Sequence, residues 1–150
     1  MKSTEPLKRF LRSAKYWQDK KDYISDKILV MRSQAEKTTT SFSDAPTFGG
    51  YEDHRQTIIA EMVDKQKKYK EIVDLCNKSL QEIQFFIDNL EDYEQRSACE
   101  LHYIHFEEWE EVARRLHYSL RQIHNIHSNA LVNLLKIHKK IIENGGKPLF

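Results

Sequence analysis

Two long stretches of this chain place apolar side chains at steps that alternate between three and four. In residues 5–37 the series runs Leu7, Phe10, Ala14, Trp17, Ile24, Ile28, Met31 and Ala35, with Lys21 filling one slot. In residues 52–90 it runs Ile59, Met62, Gln66, Tyr69, Val73, Cys76, Leu80, Ile83, Ile87 and Leu90. A mean step near 3.5 keeps one stripe on one side of a helix, whereas a strand needs a step of two. Each stretch must therefore be a helix that buries its stripe against another helix. Gln66 is the polar interruption, a position that costs stability and sets register. At about 1.5 Å per residue the two arms are roughly 50 Å long. Between them lies TTTSFSDAPTFGGY, residues 38–51, whose Ser/Thr run, Pro46 and Gly49-Gly50 pair predict a loop. An antiparallel hairpin within one chain is the simplest pairing, because the partner helix is already tethered. A parallel seam between two copies is the alternative.

Composition agrees with exposed helices. Charged residues are 31% and hydrophobic residues 39%, and only 4 Gly and 3 Pro break the chain. No apolar run reaches the length of a spanning helix, and MKSTEPLKRF has no apolar signal core, so no membrane association and no secretion are expected. Cys76 and Cys99 show no framework spacing, which points to a reduced, cytoplasmic protein. The net charge of +1 conceals a sharp asymmetry: residues 91–111 carry a net −7 and residues 112–150 a net +6. A basic block of that kind is what a polyanion partner needs.

Beyond Leu90 the pattern shortens. Residues 91–104 predict a helix with Ala98, Leu101 and Ile104 on one face. Residues 107–116, EEWEEVARRL, predict another, with Trp109, Val112, Ala113 and Leu116 inward. Its glutamates at the start and Arg114 and Arg115 at the end match the helix dipole. After His117-Tyr118, Ser119 is placed to cap a last helix over 120–144, stopped by Gly145-Gly146. Two helices about such a tight turn form a helix-turn-helix pattern. In the second, Ile123, Ile126 and Ala130 turn inward, while Leu134, Ile137 and Ile141 continue that stripe and Leu131, Leu135 and Ile142 widen it. The extension is expected to pack on the coiled coil or on a second copy. The opposite face presents Arg121, Gln122, His124, Asn125, Ser128 and Asn129. Arginine pairs with guanine through two bonds, and Asn or Gln does the same with adenine, so this face has the chemistry of base reading. Arg114, Arg115, Ser119 and Lys136, with Lys139 and Lys140 beyond, are placed for phosphate.

The run FEEWEEVARRLHYSLRQIHNIHSNALVNL resembles the helix-turn-helix of sigma-70 region 4, through W-E-E-V-A, then L-x-Y-S, then I-x-x-I-x-x-x-A-L. The likeness covers residues 91–135. The small phage and prophage regulators of Gram-positive bacteria, of the ArpU and RinA type, carry such a region behind an N-terminal helical segment, and PTFGGYED looks like the junction often seen there. The resemblance implies DNA-facing positions at Leu120, Arg121, His124, Asn125 and Ser128, with Leu120 and His124 standing where long basic residues are common. It also implies a role in late-gene control in the cytoplasm or nucleoid of a bacterial host.

Other chemistry is poorly matched. Cys99, His102 and His105 are spaced by three, as are His124 and His127, and His117 lies nearby, but zinc pairs on a helix usually sit at i, i+4. No metal or cofactor is expected. No phosphate loop, catalytic triad order or metalloprotease motif is present, so no enzyme is expected. Trp17 and Trp109 read as core anchors, and the glutamates of 107–111 as a solvated face. The expected protein is all-α. Residues 1–90 form a long N-terminal antiparallel coiled-coil hairpin with its loop at 38–51. Residues 91–150 form a sigma-70 region 4-like helix-turn-helix with an extended last helix. The expected function is sequence-specific transcription regulation, with double-stranded DNA as partner and a homodimer as its working form. The alternatives are an adaptor that binds RNA polymerase or another protein, and a packaging protein that recognises phage DNA.

Overall fold

A computed structural model of the chain describes residues 3–43 and 49–150, and side-chain surroundings for residues 3–37 and 53–150. All regular structure among these residues is helical, so the protein is all-α. The helices are α1 (Glu5–Ser43), α2 (Gly49–Asp88), α3 (Tyr93–Cys99), α4 (Trp109–Leu116) and α5 (Leu120–Glu143), and α3 runs on into a π turn over Glu100–Ile104. No helix among the described residues is long and apolar enough to cross a membrane.

The loop expected at 38–51 is narrower than its composition suggests. Helix continues through residues 38–43 and resumes by Gly49, and the remaining part, 44–48, lies outside the described residues. Ser and Thr cost a helix only a few tenths of a kcal/mol each relative to better formers, and elongation is easy once a long helix is nucleated.

The chain divides into two compact units, and the division is not at residue 90. The first comprises Met1–Trp17 with Lys78–Phe150, and the second is Gln18–Asn77. In the first unit the opening turns of α1 bury Leu7, Leu11 and Ala14 in a core shared with Ile83, Phe86, Ile87 and Leu90 of the end of α2. The same core takes in Cys99, Tyr103, Ala130, Leu131 and Leu134. Phe10 meets the Phe86 ring edge-on at 5.9 Å. Leu131 and Leu134 are thus buried within the chain, which uses up most of the stripe that otherwise seemed free for a second copy. Side chains of this size each contribute about 1.5–3 kcal/mol when buried. The first turn of α1 is set by the Ser3 hydroxyl, which accepts from the Glu5 N–H at 3.2 Å. Pro6 follows, where a missing N–H costs nothing.

In the second unit the heptad stripe faces inward. Ile24 and Cys76 are buried, Ile28, Met31, Gln66, Tyr69 and Val73 are half-buried, and Ile59 is exposed. Lys27 Nζ lies 5.8 Å from the Tyr69 ring centroid and 4.8 Å from that of Tyr23, so here α1 and α2 of one chain approach each other. Leu29 and Val30 remain on the outside.

Candidate nucleic-acid interface

Backbone devices fix both ends of α4 and the start of α5. Glu108 is the extended residue before α4, so the helix starts at Trp109 and not at 107. At the other end His117 adopts φ 61° and ψ 40°, the left-handed conformation that ends a helix. Its neighbour's N–H, from Tyr118, returns to the Ala113 carbonyl at 2.9 Å. Ser119 then opens α5 with a complete capping box: its hydroxyl accepts from the Gln122 N–H at 3.2 Å, and its own N–H donates to Gln122 Oε1 at 2.9 Å. A small core of Ala98, Val112, Ala113 and Ile123, flanked by Leu116, Tyr118 and Ile126, locks α3, α4 and the start of α5 together.

With Ile123 and Ala130 buried, the opposite face of α5 is exposed at every position marked for base reading: Leu120, Arg121, Gln122, His124, Asn125, Ser128 and Asn129. Arg121, Asn125 and Ser128 follow one another at i, i+4 and i+7, which puts them in a single row. Gln122 is less free than its exposure suggests, because its carbonyl oxygen holds the cap. A two-bond contact to adenine needs that oxygen, so Gln122 reads a base only by undoing its own helix start. Ser119 likewise spends its oxygen on the cap and keeps its O–H proton for a phosphate.

The expected phosphate contacts Arg114 and Arg115 are exposed but have acidic neighbours. Arg114 is held by Glu111 through two hydrogen bonds, one of them Nε to Oε2 at 3.0 Å. Arg115 pairs with Glu107 at 2.9 Å and approaches Glu111 at 3.6 Å. Glu107 is not part of a solvated acidic face: its side chain is only 16% exposed, and its Oε2 has no hydrogen-bond partner. Lys136 lines a cleft of about 310 Å³ together with Glu91, Asp92 and Lys140. Glu111, one turn before the arginines, pairs with Arg114 and approaches Arg115, while the nearer partner of Arg115, Glu107, lies two turns before it.

Sequence reasoning also missed a cluster behind the reading face. The π turn widens the helix so that the His105 N–H bonds to the Glu100 carbonyl five residues back. Phe106 then takes φ 60° and turns the chain. His102 Nδ1–H donates to the Glu107 carbonyl at 2.8 Å, and its ring stacks on Trp109 at 3.8 Å. The His127 ring lies 4.4 Å from that of Trp109, and His124 meets the indole edge-on at 5.9 Å. The Tyr103 hydroxyl and His127 Nε2 are 2.7 Å apart. Burial pushes the His127 pKa down to about 4, helped by repulsion from His102, and burial also lowers that of His102. The Tyr103 hydroxyl and a neutral His127 share this hydrogen bond, so the cluster is a hydrogen-bonded group of aromatic rings. Trp109 anchors it, as its place in the sequence predicts.

The histidines do not gather as metal ligands. Burial raises the Cys99 thiol to about 12, which keeps it protonated, and His105 is exposed with Glu100 at 4.0 Å. Among the described residues no three His, Cys, Asp or Glu side chains stand close enough to share an ion. Compared with known proteins, the chain matches no family model, no curated protein and no solved structure.

Proposed function

We propose that this protein is a sequence-specific DNA-binding transcription regulator, of the phage or prophage kind that residues 91–135 resemble. The observation that carries the reading is the exposed row Arg121–Asn125–Ser128, with His124 beside it, on a helix whose opposite side is buried and whose first turn is fixed by a capping box. The N-terminal turns of such a helix enter the major groove, and Arg121 and Asn125 have the donors and acceptors to read guanine and adenine there. Two half-sites require two copies, so a homodimer belongs to the same proposal. The test is a salt titration of binding to duplexes drawn from the genomic neighbourhood of the coding sequence. A DNA reader loses affinity steeply as salt rises. Absence of salt-dependent binding to all of them refutes the reading.

A second reading has its own support. Arg114 and Arg115 are both occupied by glutamates, and residues 91–111 carry a net −7. An adaptor that docks on RNA polymerase through these helices would tolerate that arrangement better than a phosphate-gripping domain. A stoichiometric complex with purified polymerase, together with no duplex binding, would favour the adaptor.

A further inference from the structure

Past Glu143 the chain turns back on α5. Gly145 takes φ 84°, a conformation open to glycine, and its N–H bonds to the Ile142 carbonyl at 3.0 Å. The Gly146 N–H bonds to the Ile141 carbonyl at 2.8 Å, and a Cβ at Gly146 would stand only 2.6 Å from the Ile141 side chain. The residues that follow run back along the helix. The Leu149 N–H donates to His138 Nε2 at 3.1 Å. Phe150 lies on the His138 ring, 4.0 Å away and 19° from parallel, and approaches the rings of Phe10 at 5.6 Å and Phe86 at 6.4 Å. Leu149 packs on the first core. Residues 147–150 thus form a strap across α5, the opening of α1 and the end of α2, all within the first unit.

The hydrogen bond dictates the protonation state of the ring. A backbone N–H can only donate, so His138 Nε2 must offer a lone pair and the ring proton must sit on Nδ1. A protonated His138 carries N–H on both nitrogens and meets Leu149 donor to donor. Burial works in the same sense, since it holds the His138 pKa below the ordinary histidine value. The charged side chains lining the groove on either side of the strap are Lys139 and Glu143 of α5, 3.8 Å apart, with Arg9 of α1 and Glu82 of α2. Lys147 is the strap's own charge, while Ser3, Pro6, Leu135 and Ile142 beside His138 carry none. Of these groups His138 is the one whose ordinary pKa lies between pH 5 and 8.

We infer that residues 147–150 are a pH-operated strap, latched on neutral His138 across α1, α2 and α5 and released when that ring takes a proton. The closed strap binds fewer protons than the open one. Closure is therefore fully present above about pH 6.5 and is lost as pH falls from there through the lower value of the closed state. Release uncovers the sides of Phe10 and Phe86 that Phe150 covers. What α5 binds at its other end does not enter, so the strap stands or falls apart from the DNA proposal.

NMR of the isotope-labelled full chain tests this by following the Leu149 amide and the His138 ring from pH 8 to pH 5. In wild type the ring should titrate below about 6.5, and the Leu149 amide should move to its open position with the same midpoint. His138→Phe keeps an aromatic ring under Phe150 but offers no acceptor, so its Leu149 amide should already stand at the open position at pH 7.5. Leu149→Pro keeps an apolar side chain and deletes the donor. Its His138 pKa should rise by about 0.5–1 pH unit relative to wild type, the reach of one net hydrogen bond. A Leu149 amide that ignores the ring's titration, or one that stays closed in His138→Phe, would overturn the inference. So would an unchanged His138 pKa in Leu149→Pro. Far-UV circular dichroism checks folding; should His138→Phe unfold, the wild-type midpoints and Leu149→Pro decide the matter.

Discussion

Lowering the pH should weaken this protein through one side chain in particular. In the folded chain burial holds the His127 pKa at about 4, while an unfolded histidine has a value near 6.5. The unfolded state therefore takes up its proton first. The contribution is fully present above pH 6.5, is lost as pH falls from there, and stops falling near pH 4. A gap of that width corresponds to about 3.4 kcal/mol, and solvent reaching part of the ring reduces this to roughly 2–3 kcal/mol. His102 and His138 change in the same direction, and carboxylates titrate at the low end, so the wild-type curve alone cannot isolate His127. The difference between wild type and His127→Gln can. Glutamine keeps a hydrogen-bonding side chain beside Tyr103 but cannot be protonated. At pH 7.5 the variant should be less stable, since a packed ring against Trp109 is gone. By pH 4.5 the gap should narrow by about 2–3 kcal/mol, because only wild type has lost the His127 contribution. Urea unfolding followed by far-UV circular dichroism at pH 7.5, 6.0, 5.0 and 4.5 measures both curves. A gap that stays constant within about 0.5 kcal/mol would show that His127 is not held neutral by burial, and the reasoning would fail.

Three further changes probe the turn and the core. Ser119→Ala removes the capping box and should cost about 1 kcal/mol by urea unfolding, with the helical signal of α5 otherwise intact. His117→Gly should stabilise by about 0.5–1 kcal/mol, since φ 61° strains any residue with a Cβ, and a loss of stability would show that the His117 side chain does more than occupy the turn. Ile123→Ala empties the centre of the small core and should cost about 2–5 kcal/mol; a cost under 1 kcal/mol in the same unfolding assay would mean that α4 and α5 are not locked through it.

What was legible in the sequence was what repeats locally. The alternation of three and four from Leu7 to Ala35 and from Met62 to Leu90 marks positions that are buried or half-buried in every case, because helical period depends only on near neighbours. Ser119 as a cap and Ile123 as an inward residue were readable for the same reason. The π turn over Glu100–Ile104 was not, since ELHYI carries no mark distinguishing a five-residue bond from a four-residue one. His117 in the left-handed turn was hidden too, where glycine would have announced itself. The largest gap concerns charge. Arg115 with Glu107 and Lys15 with Phe106 are meetings between elements, and one-dimensional spacing has no access to them. Arg114 with Glu111, by contrast, is an i, i+3 pair within α4 that spacing does show.

The account turns on Arg121 as a base reader at the start of α5. Selection of bound duplexes from a randomised library, carried out in parallel for wild type and Arg121→Ala, tests it directly. The account predicts that wild type enriches a defined sequence and that the variant loses about 1–3 kcal/mol of discrimination at one base position while the others keep theirs. Equal loss at every position, or no enriched sequence with wild type, would contradict it.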